Sequence, residues 1–227
     1  MPTELPSIDI KAKANHHAWF LFLLGSLLLL ITLITSNFFW QEYRFILIFT
    51  FLLAIVIIFT ALLKHFEPKI SFHLTPEKIT YHHRHGCWQL TWCQIQSINN
   101  ISEIQGLERL ELPYLGIRLD NIALLAEQIS PRLANRLIHE QRPLMTFAVM
   151  NQLLSLEQVQ LNFEPYVLPS GLMIKGPIAA FLHHTETLKT AYGYHLYIPD
   201  TAVDRELSDF ILLLKRCKLA SVNYNDC

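Results

Sequence analysis

The sequence predicts an α+β membrane protein, in which an N-terminal two-helix transmembrane hairpin precedes an antiparallel β domain. Three observations predict this class. Two uncharged apolar runs, 18–40 and 45–63, are separated by only four residues; short alternating segments follow them; and helical periodicity appears after Leu119. The predicted domains are an N-terminal segment 1–17, the hairpin 18–63, and a domain 64–227 with a helical insertion over 121–154.

Each apolar run is long enough to cross a bilayer. At ~1.5 Å of helical rise per residue the runs extend ~34 and ~28 Å, close to the ~30 Å of a hydrocarbon core. Neither run contains an ionisable residue, which favours an anchor over a transporter or proton relay. A secretory signal is disfavoured because the first run is too long and a second run follows at once.

The charges that flank the runs predict their orientation. Basic residues tend to stay on the cytoplasmic side, and the loop between the runs has only Arg44, offset by Glu42. The outer flanks carry Lys11, Lys13, Lys64 and Lys69. We therefore expect a multi-pass protein with both termini in the cytoplasm, where the four cysteines stay reduced and form no disulfide.

The alternating segments predict antiparallel strands. They cover 70–74, 78–84, 87–93, 95–101 and 112–119. A tight turn at His85-Gly86 predicts a hairpin in which Ile79 faces Trp92, Tyr81 faces Leu90 and His83 packs on Trp88. One face of this hairpin is then apolar and the other polar, as expected for a sheet that covers a core on one side.

The later segments read mainly as helices. Predicted helices cover 121–129, 131–140, 144–154, 178–190 and 204–216, with an irregular loop over 164–177 and a strand over 194–198. Ser130-Pro131 forms an N-cap followed by a proline at the first helical position. The helix 144–154 is apolar around nearly its whole circumference, so we expect it in the core, against the membrane or against a partner.

Two histidine-containing clusters are candidate sites of chemistry. In the run from His82 to Cys87 the hairpin places His82 and His83 on opposite faces, which argues against four converging zinc ligands. His183, His184 and Glu186 lack the spacing of a metal or hydrolase motif. We therefore assign no catalytic, cofactor-binding or metal residue and expect no cofactor.

The charge balance bears on possible partners. A formal net charge of −1 gives no broad attraction for nucleic acid, so we expect no nucleic-acid partner. Arg132 and Arg136 lie at the start of a helix, and Arg118 is near in sequence. These three arginines are candidate contacts for lipid phosphate or an acidic partner; a solvated helix face with Glu140 as salt-bridge partner is the plainer alternative.

Two parts of the sequence resemble known families. The stretch from Ile70 to Tyr81, with Gly86 and then Trp88 to Trp92, is similar to the opening strands of bacterial pleckstrin-homology-like (PH-like) domains that follow a two-span anchor. The segments 114–119 and 130–137 resemble an uncharacterised family of bacterial inner-membrane proteins, a domain-of-unknown-function group. The resemblance implies a PH-like sheet closed by a C-terminal helix, a bacterial inner-membrane location, and no known activity.

Together these observations favour a membrane-anchored, non-enzymatic binding or scaffold module at the cytoplasmic face of the inner membrane. Its expected partners are the lipid bilayer and a protein. Two alternatives stay open: a small membrane-tethered enzyme that acts on a lipid or envelope precursor, with 164–177 near its site, and an accessory subunit of a membrane protein complex. A deep pocket with convergent histidines or carboxylates would favour the enzyme, and an exposed apolar groove would favour a binding module.

Overall fold

The computed structural model describes residues 7–11, 18–65, 70–105 and 108–225. Lys13, Lys69 and Cys227 lie outside these residues. The chain divides into two units, Ala12–Lys69 and a second unit made of Met1–Lys11 with Ile70–Cys227. The N-terminal strand therefore belongs to the same unit as the rest of the β domain, although Ala12–Lys69 separates them in sequence.

The first unit contains one assigned helix, α1, over Ala18–His65. It is long and apolar enough to cross a membrane, and an 18-residue stretch of it has a mean hydropathy of 3.1. Its backbone leaves helical geometry at Phe39 (φ −124°, ψ 16°) and Tyr43 (φ −120°, ψ 24°). Gly25 packs closely on the other end of the same helix, since a Cβ built on it would lie 2.7 Å from Ile58 Cγ1.

The second unit begins with a four-stranded antiparallel sheet in the order β1-β2-β3-β4. The strands are β1 (Ile8–Ile10), β2 (Phe72–Leu74), β3 (Lys78–His83) and β4 (Gly86–Thr91). β1 was not predicted; it pairs with β2 through Ile8 with Leu74 and Ile10 with Phe72.

A three-stranded antiparallel sheet, in the order β5-β6-β9, forms the second layer. The long strands β5 (Ile95–Gln105) and β6 (Glu108–Leu119) extend beyond the predicted segments, and β9 (Leu196–Pro199) pairs with β6. Gly116 on β6 lies against the Tyr194 ring, where a Cβ would approach ring atoms to 2.5 Å. Only glycine fits at that position.

Helices fill the connection between β6 and β9. These are α2 (Ala123–Gln128), α3 (Pro131–Glu140), α4 (Arg142–Met150) and α5 (Pro177–Tyr192), with a small hairpin of β7 (Tyr166–Val167) and β8 (Met173–Ile174) before α5. The bounds of α3 and its Ser130 N-cap are confirmed. The predicted helix 144–154 is wrong at its C-terminal end, because the chain turns at Asn151 and Gln152 takes a positive φ of 59°.

The last helix, α6 (Leu207–Asn225), packs on β5, β6 and the 3₁₀ turn Trp92–Gln94. It contributes Phe210 and Leu214 to the main core, which also contains Phe72, Trp88 and Phe181. Lys218 Nζ donates to the backbone carbonyls of Ile95 and Gln96, so α6 is hydrogen-bonded to the start of β5.

The β3–β4 hairpin confirms the predicted faces but not the predicted register. Tyr81 faces Trp88 and Ile79 faces Leu90, two residues away from the prediction. The turn is Arg84-His85, and Gly86 already pairs with His83. Trp92 lies beyond the end of β4, in a 3₁₀ turn, and its indole N–H donates to the Thr75 carbonyl at 2.9 Å. A shift of two residues preserves the faces, so the apolar side is still buried.

The cysteines differ from the expectation of four reduced thiols. Cys87 and Cys217 are free, but Cys93 is disulfide-bonded. The expectation depended on a cytoplasmic location, since disulfides persist mainly in oxidising compartments.

Candidate functional site

The three predicted contact arginines lie on two elements. Arg118 is exposed on β6, and Arg132 and Arg136 are exposed on α3. Arg136 Nε donates to Glu140 Oε1 at 2.8 Å, four residues along the same helix. The N-terminus of α3 is capped internally, because the Leu133 N–H donates to Ser130 Oγ at 3.2 Å. Arg136 thus makes the ion pair of the plainer alternative.

Glu140 joins α3 to the β3–β4 hairpin. Its Oε1 lies 3.3 Å from His83 Nε2, and Ser130 Oγ donates to the His85 carbonyl at 3.0 Å. Burial opposes ionisation of Glu140, but hydrogen bonds from His83 and Arg136 outweigh it and lower its pKa. The His83 ring stacks on Tyr81, with centroids 6.0 Å apart, rather than on Trp88 as predicted. The cluster therefore fastens the hairpin to α3.

Metal ligation finds no support around this hairpin. His82 and Cys87 are exposed on the outer face, while His83 points toward α3. Across the described residues, no group of three or more His, Cys, Asp or Glu side chains is arranged to hold a metal ion. The histidine-rich run is thus explained by turn geometry and by the contact with Glu140.

One cavity of about 390 Å³ lies between α5 and the connection that follows α4. Its walls include His183, His184 and Glu186, the second predicted cluster. His183 Nε2 lies 3.1 Å from the Glu164 carbonyl, and Glu186 Oε2 lies 3.6 Å from Lys189 Nζ. These side chains make separate contacts, so the structure does not bring them together as an acid/base pair.

His184 is the most unusual residue of this cavity. It is buried, and burial lowers its pKa to about 4, so its ring is neutral at pH 7. Within the part of the chain that the structure describes, its Nε2 has no hydrogen-bond partner. A second buried histidine, His195, accepts a hydrogen bond from the Leu119 N–H at Nδ1 (3.0 Å), and burial likewise lowers its pKa to about 4.

A second cavity, of about 560 Å³, lies beside β5 and α6. Lys215 Nζ donates to Asn99 Oδ1 at 2.8 Å, and Asn100 Nδ2 donates to Glu111 Oε2 at 2.8 Å. Tyr192 and Tyr194 complete its polar wall. We call this cavity the β5–α6 groove. Sequence reasoning missed it, because its lining residues are distant from one another in sequence.

The comparisons with known proteins identify a family. The model of DUF2982, described as a protein of unknown function, matches residues 72–220, which is more than half of the chain. The chain belongs to the DUF2982 family. No curated protein and no solved structure matches it. The matched residues run from β2 into α6 and so include both cavities of this DUF2982 chain.

The DUF2982 chain also exposes apolar side chains between α4 and α5. We call residues 150–173 the apolar segment. Its exposed large side chains are Met150, Leu153, Leu156, Leu161, Phe163, Val167, Leu172 and Met173. Sequence analysis predicted an irregular loop over 164–177 and expected apolar contact from 144–154, which shares only residues 150–154 with this segment. Buried Leu144, Met145 and Ala148 show that α4 itself packs mainly into the core. The missed signal is the high content of Leu, Phe and Met in a stretch without helical or strand periodicity.

Proposed function

We propose that this DUF2982 protein is a membrane-anchored, non-enzymatic binding module. In this proposal Ala18–His65 crosses the bacterial inner membrane twice. The β domain is PH-like and presents its β5–α6 groove to a protein partner at the cytoplasmic face.

The pairing of β1 with β2 carries the proposal. These strands lie on either side of α1 in the sequence, yet they form one antiparallel ladder, in which Asp9 faces His73 and the Ser71 N–H donates to the Ile10 carbonyl at 2.7 Å. Hydrogen-bonded strands occupy the same compartment. If α1, which lies between them, is membrane-embedded, it must therefore cross the membrane an even number of times. A single crossing would separate the strands, and cleavage as a signal sequence would remove β1.

The geometry of α1 supports two crossings. Gly25 and Ile58 are in contact, whereas a straight helix with ~1.5 Å of rise per residue would place them ~50 Å apart. The non-helical residues Phe39 and Tyr43 lie between them; Tyr43 is in the predicted loop 41–44, and Phe39 is two residues before it. A glycine at this contact allows close approach of two helices, as is common within membranes. Two antiparallel arms, each of about bilayer length, account for all three observations.

The strand and helix order supports the PH-like assignment. A four-stranded sheet is followed by a three-stranded sheet, and the last helix packs against β5 and β6. The helices α2 to α5 form an insertion between β6 and β9. The sequence resemblance implied this arrangement of a sheet closed by a C-terminal helix.

The composition of the β5–α6 groove supports recognition of a protein. Residues 99–102 belong to β5, an edge strand of its sheet, and Lys215 stands opposite them. An edge strand offers backbone groups that an extended peptide can pair with, and the amide and phenol side chains of the groove add further donors and acceptors.

Two observations bear on the side of the membrane. The basic flanks, including Lys11 and Lys64, favour the cytoplasm. The disulfide-bonded state of Cys93 favours an oxidising compartment. We propose the cytoplasmic side, in accord with the flanking charges. The topology test below distinguishes the cytoplasmic side from the oxidising side.

Topology reporters test the proposal directly. The full chain is expressed with a reporter before Met1 or after Cys227, and an impermeant protease or thiol reagent is applied to intact cells and to inverted membrane vesicles. The expected result is that both ends are protected in cells and accessible in inverted vesicles. Ends on opposite sides would refute the two-crossing anchor, and two ends accessible in intact cells would place the domain on the oxidising side.

A further inference from the structure

The β7–β8 hairpin exposes apolar side chains on a face where water-facing hairpins are usually polar. Tyr166 pairs with Ile174, and both pack against the cluster that contains Leu168 and Leu182. Val167 pairs with Met173 on the other face, where they are 59% and 54% exposed. The outer face of an antiparallel pair normally carries polar residues when it meets water. This hairpin is apolar on both faces.

The rest of the apolar segment has the same character. Leu156 and Phe163 are 73% and 61% exposed, and Leu172 lies exposed beside the hairpin turn. The only charged residues in 150–173 are Glu157 and Glu164, and no basic residue occurs there. Concentrated apolar exposure of this kind marks a surface that contacts a membrane or another protein.

The segment is held in place rather than loosely attached. The His183 ring packs edge-on against Tyr166 at 5.1 Å, and its Nε2 lies 3.1 Å from the Glu164 carbonyl. Within the turn, the Leu168 N–H donates to the Leu172 carbonyl at 2.9 Å. These contacts fix the outward direction of Val167 and Met173, so their exposure is a property of the folded domain.

We propose that the apolar segment inserts its exposed side chains into the lipid interface of the membrane that holds this chain. The proposal rests on the two-crossing anchor. Only six residues separate Lys11 from Ala18, and six separate His65 from Phe72, so an extended connection reaches at most ~25 Å. Lys11 and Phe72 therefore stay within that distance of the ends of α1, so lipid is the apolar phase to which the domain is permanently tethered.

The charge of the segment specifies the mode of contact. Because it lacks Lys and Arg, it offers no partner for lipid phosphates, and its affinity must come from the burial of apolar surface. Contact with lipid should therefore be independent of anionic lipid and of salt. This separates the segment from the candidate arginines Arg118, Arg132 and Arg136, whose contacts would depend on both.

Site-specific photo-crosslinking tests the proposal in the full chain. A benzophenone amino acid replaces Leu156 or Phe163, and the protein is reconstituted into phosphatidylcholine vesicles with and without phosphatidylglycerol. Leu219 on α6 is the matched control, since it is a leucine of similar exposure (67%) outside the segment. Phe49 in α1 is the positive control for the anchor.

The expected result is a lipid adduct at positions 156 and 163 at least about fivefold above that at position 219, with or without phosphatidylglycerol. Labelling no higher than at position 219 would overturn the proposal, as would an adduct with a second copy of the chain in place of lipid. Strong labelling at position 49 in either of these cases would show that the anchor stands while the inference fails. Absence of labelling at position 49 would refute the anchor, and the inference with it.

Discussion

The two β-hairpins of the domain, β3–β4 and β7–β8, each pack one face against the rest of the domain. They differ in the polarity of the side chains on the opposite face. The inner face of the first is buried, with Trp88 and Leu90, and that of the second is half-buried, with Tyr166 and Ile174. The outer face of β3–β4 carries His82, Gln89 and Thr91, whereas that of β7–β8 carries Val167 and Met173. The side chains of the inner face indicate contact with the core. The side chains of the outer face indicate what surrounds the hairpin. Four predictions test this difference, from the largest expected effect to the smallest.

Truncation of the inner face should have the largest effect. Trp88→Ala removes a fully packed indole between Phe72 and Tyr81 and should lower the free energy of unfolding by about 3–5 kcal/mol. Gln89→Ala, next along the same strand but outward, should change it by less than about 0.5 kcal/mol. Thermal and urea unfolding of the full chain in micelles, followed by near-UV circular dichroism, measures both. Equal effects would mean that the two faces are not sorted.

Acid should weaken the α5 region more than the β3–β4 hairpin. His184 has a folded-state pKa of about 4, below its ordinary 6.5, so the unfolded chain binds its proton first. The stability that depends on neutral His184 is complete above pH 6.5 and is lost as the pH falls toward 4. Between pH 7.5 and 5 the loss should be on the order of 2 kcal/mol. The His83–Glu140 contact survives this change because the pKa of Glu140 is lowered.

Matched histidine variants isolate this effect. Thermal unfolding at pH 7.5 and pH 5 should show a smaller difference for His184→Leu than for the unchanged protein. His82→Leu removes an exposed imidazole from β3 and should leave the difference unchanged. If the two variants behave alike, His184 does not titrate as its burial implies.

Removal of the Glu140 carboxylate should loosen the β3–β4 hairpin by an intermediate amount. Glu140→Gln weakens hydrogen bonds from Arg136 and His83 at a half-buried site, so we expect a loss of about 1–2 kcal/mol. Glu157→Gln, at an exposed residue, serves as the control. The midpoint of urea unfolding compares them. A result for Glu140→Gln no larger than the control would show that the cluster does not hold the hairpin.

Polar substitution of the outer face of β7–β8 should have the smallest effect on folding. Val167→Ser with Met173→Ser should change the free energy of unfolding by less than about 0.5 kcal/mol, because both side chains are already exposed. The same double variant should reduce lipid crosslinking from position 163 in vesicles. A large loss of stability would mean that these side chains pack on the domain instead of meeting another medium.

The same contrast explains what the sequence could predict of the fold. Alternation along β3 and β4 predicted which side chains are buried, because six-residue strands repeat the pattern often enough. It missed the register because the turn was placed at His85-Gly86, whereas the turn is Arg84-His85, and a shift of two residues leaves the alternation unchanged. The two-residue strands β7 and β8 show no period, and β1 is three residues long with a partner far along the chain.

The candidate sites were predictable only where they depend on local spacing. The pair Arg136 and Glu140 follows from a four-residue interval on a helix. The contact of Glu140 with His83, the β5–α6 groove and the cavity beside His184 join elements that are distant in sequence. Their formation depends on how α3, α5 and α6 pack, which no local pattern specifies.

The ladder between β1 and β2 has a consequence for how this protein is made. Ile8–Ile10 leaves the ribosome first, but its pairing partner is synthesised only after the whole of α1. Closing a loop of this length is slow compared with forming neighbouring hairpins. The first sheet is therefore completed only after the whole of α1 has been synthesised. A fragment that starts at Ile70 would leave β2 as an unprotected edge and so should aggregate.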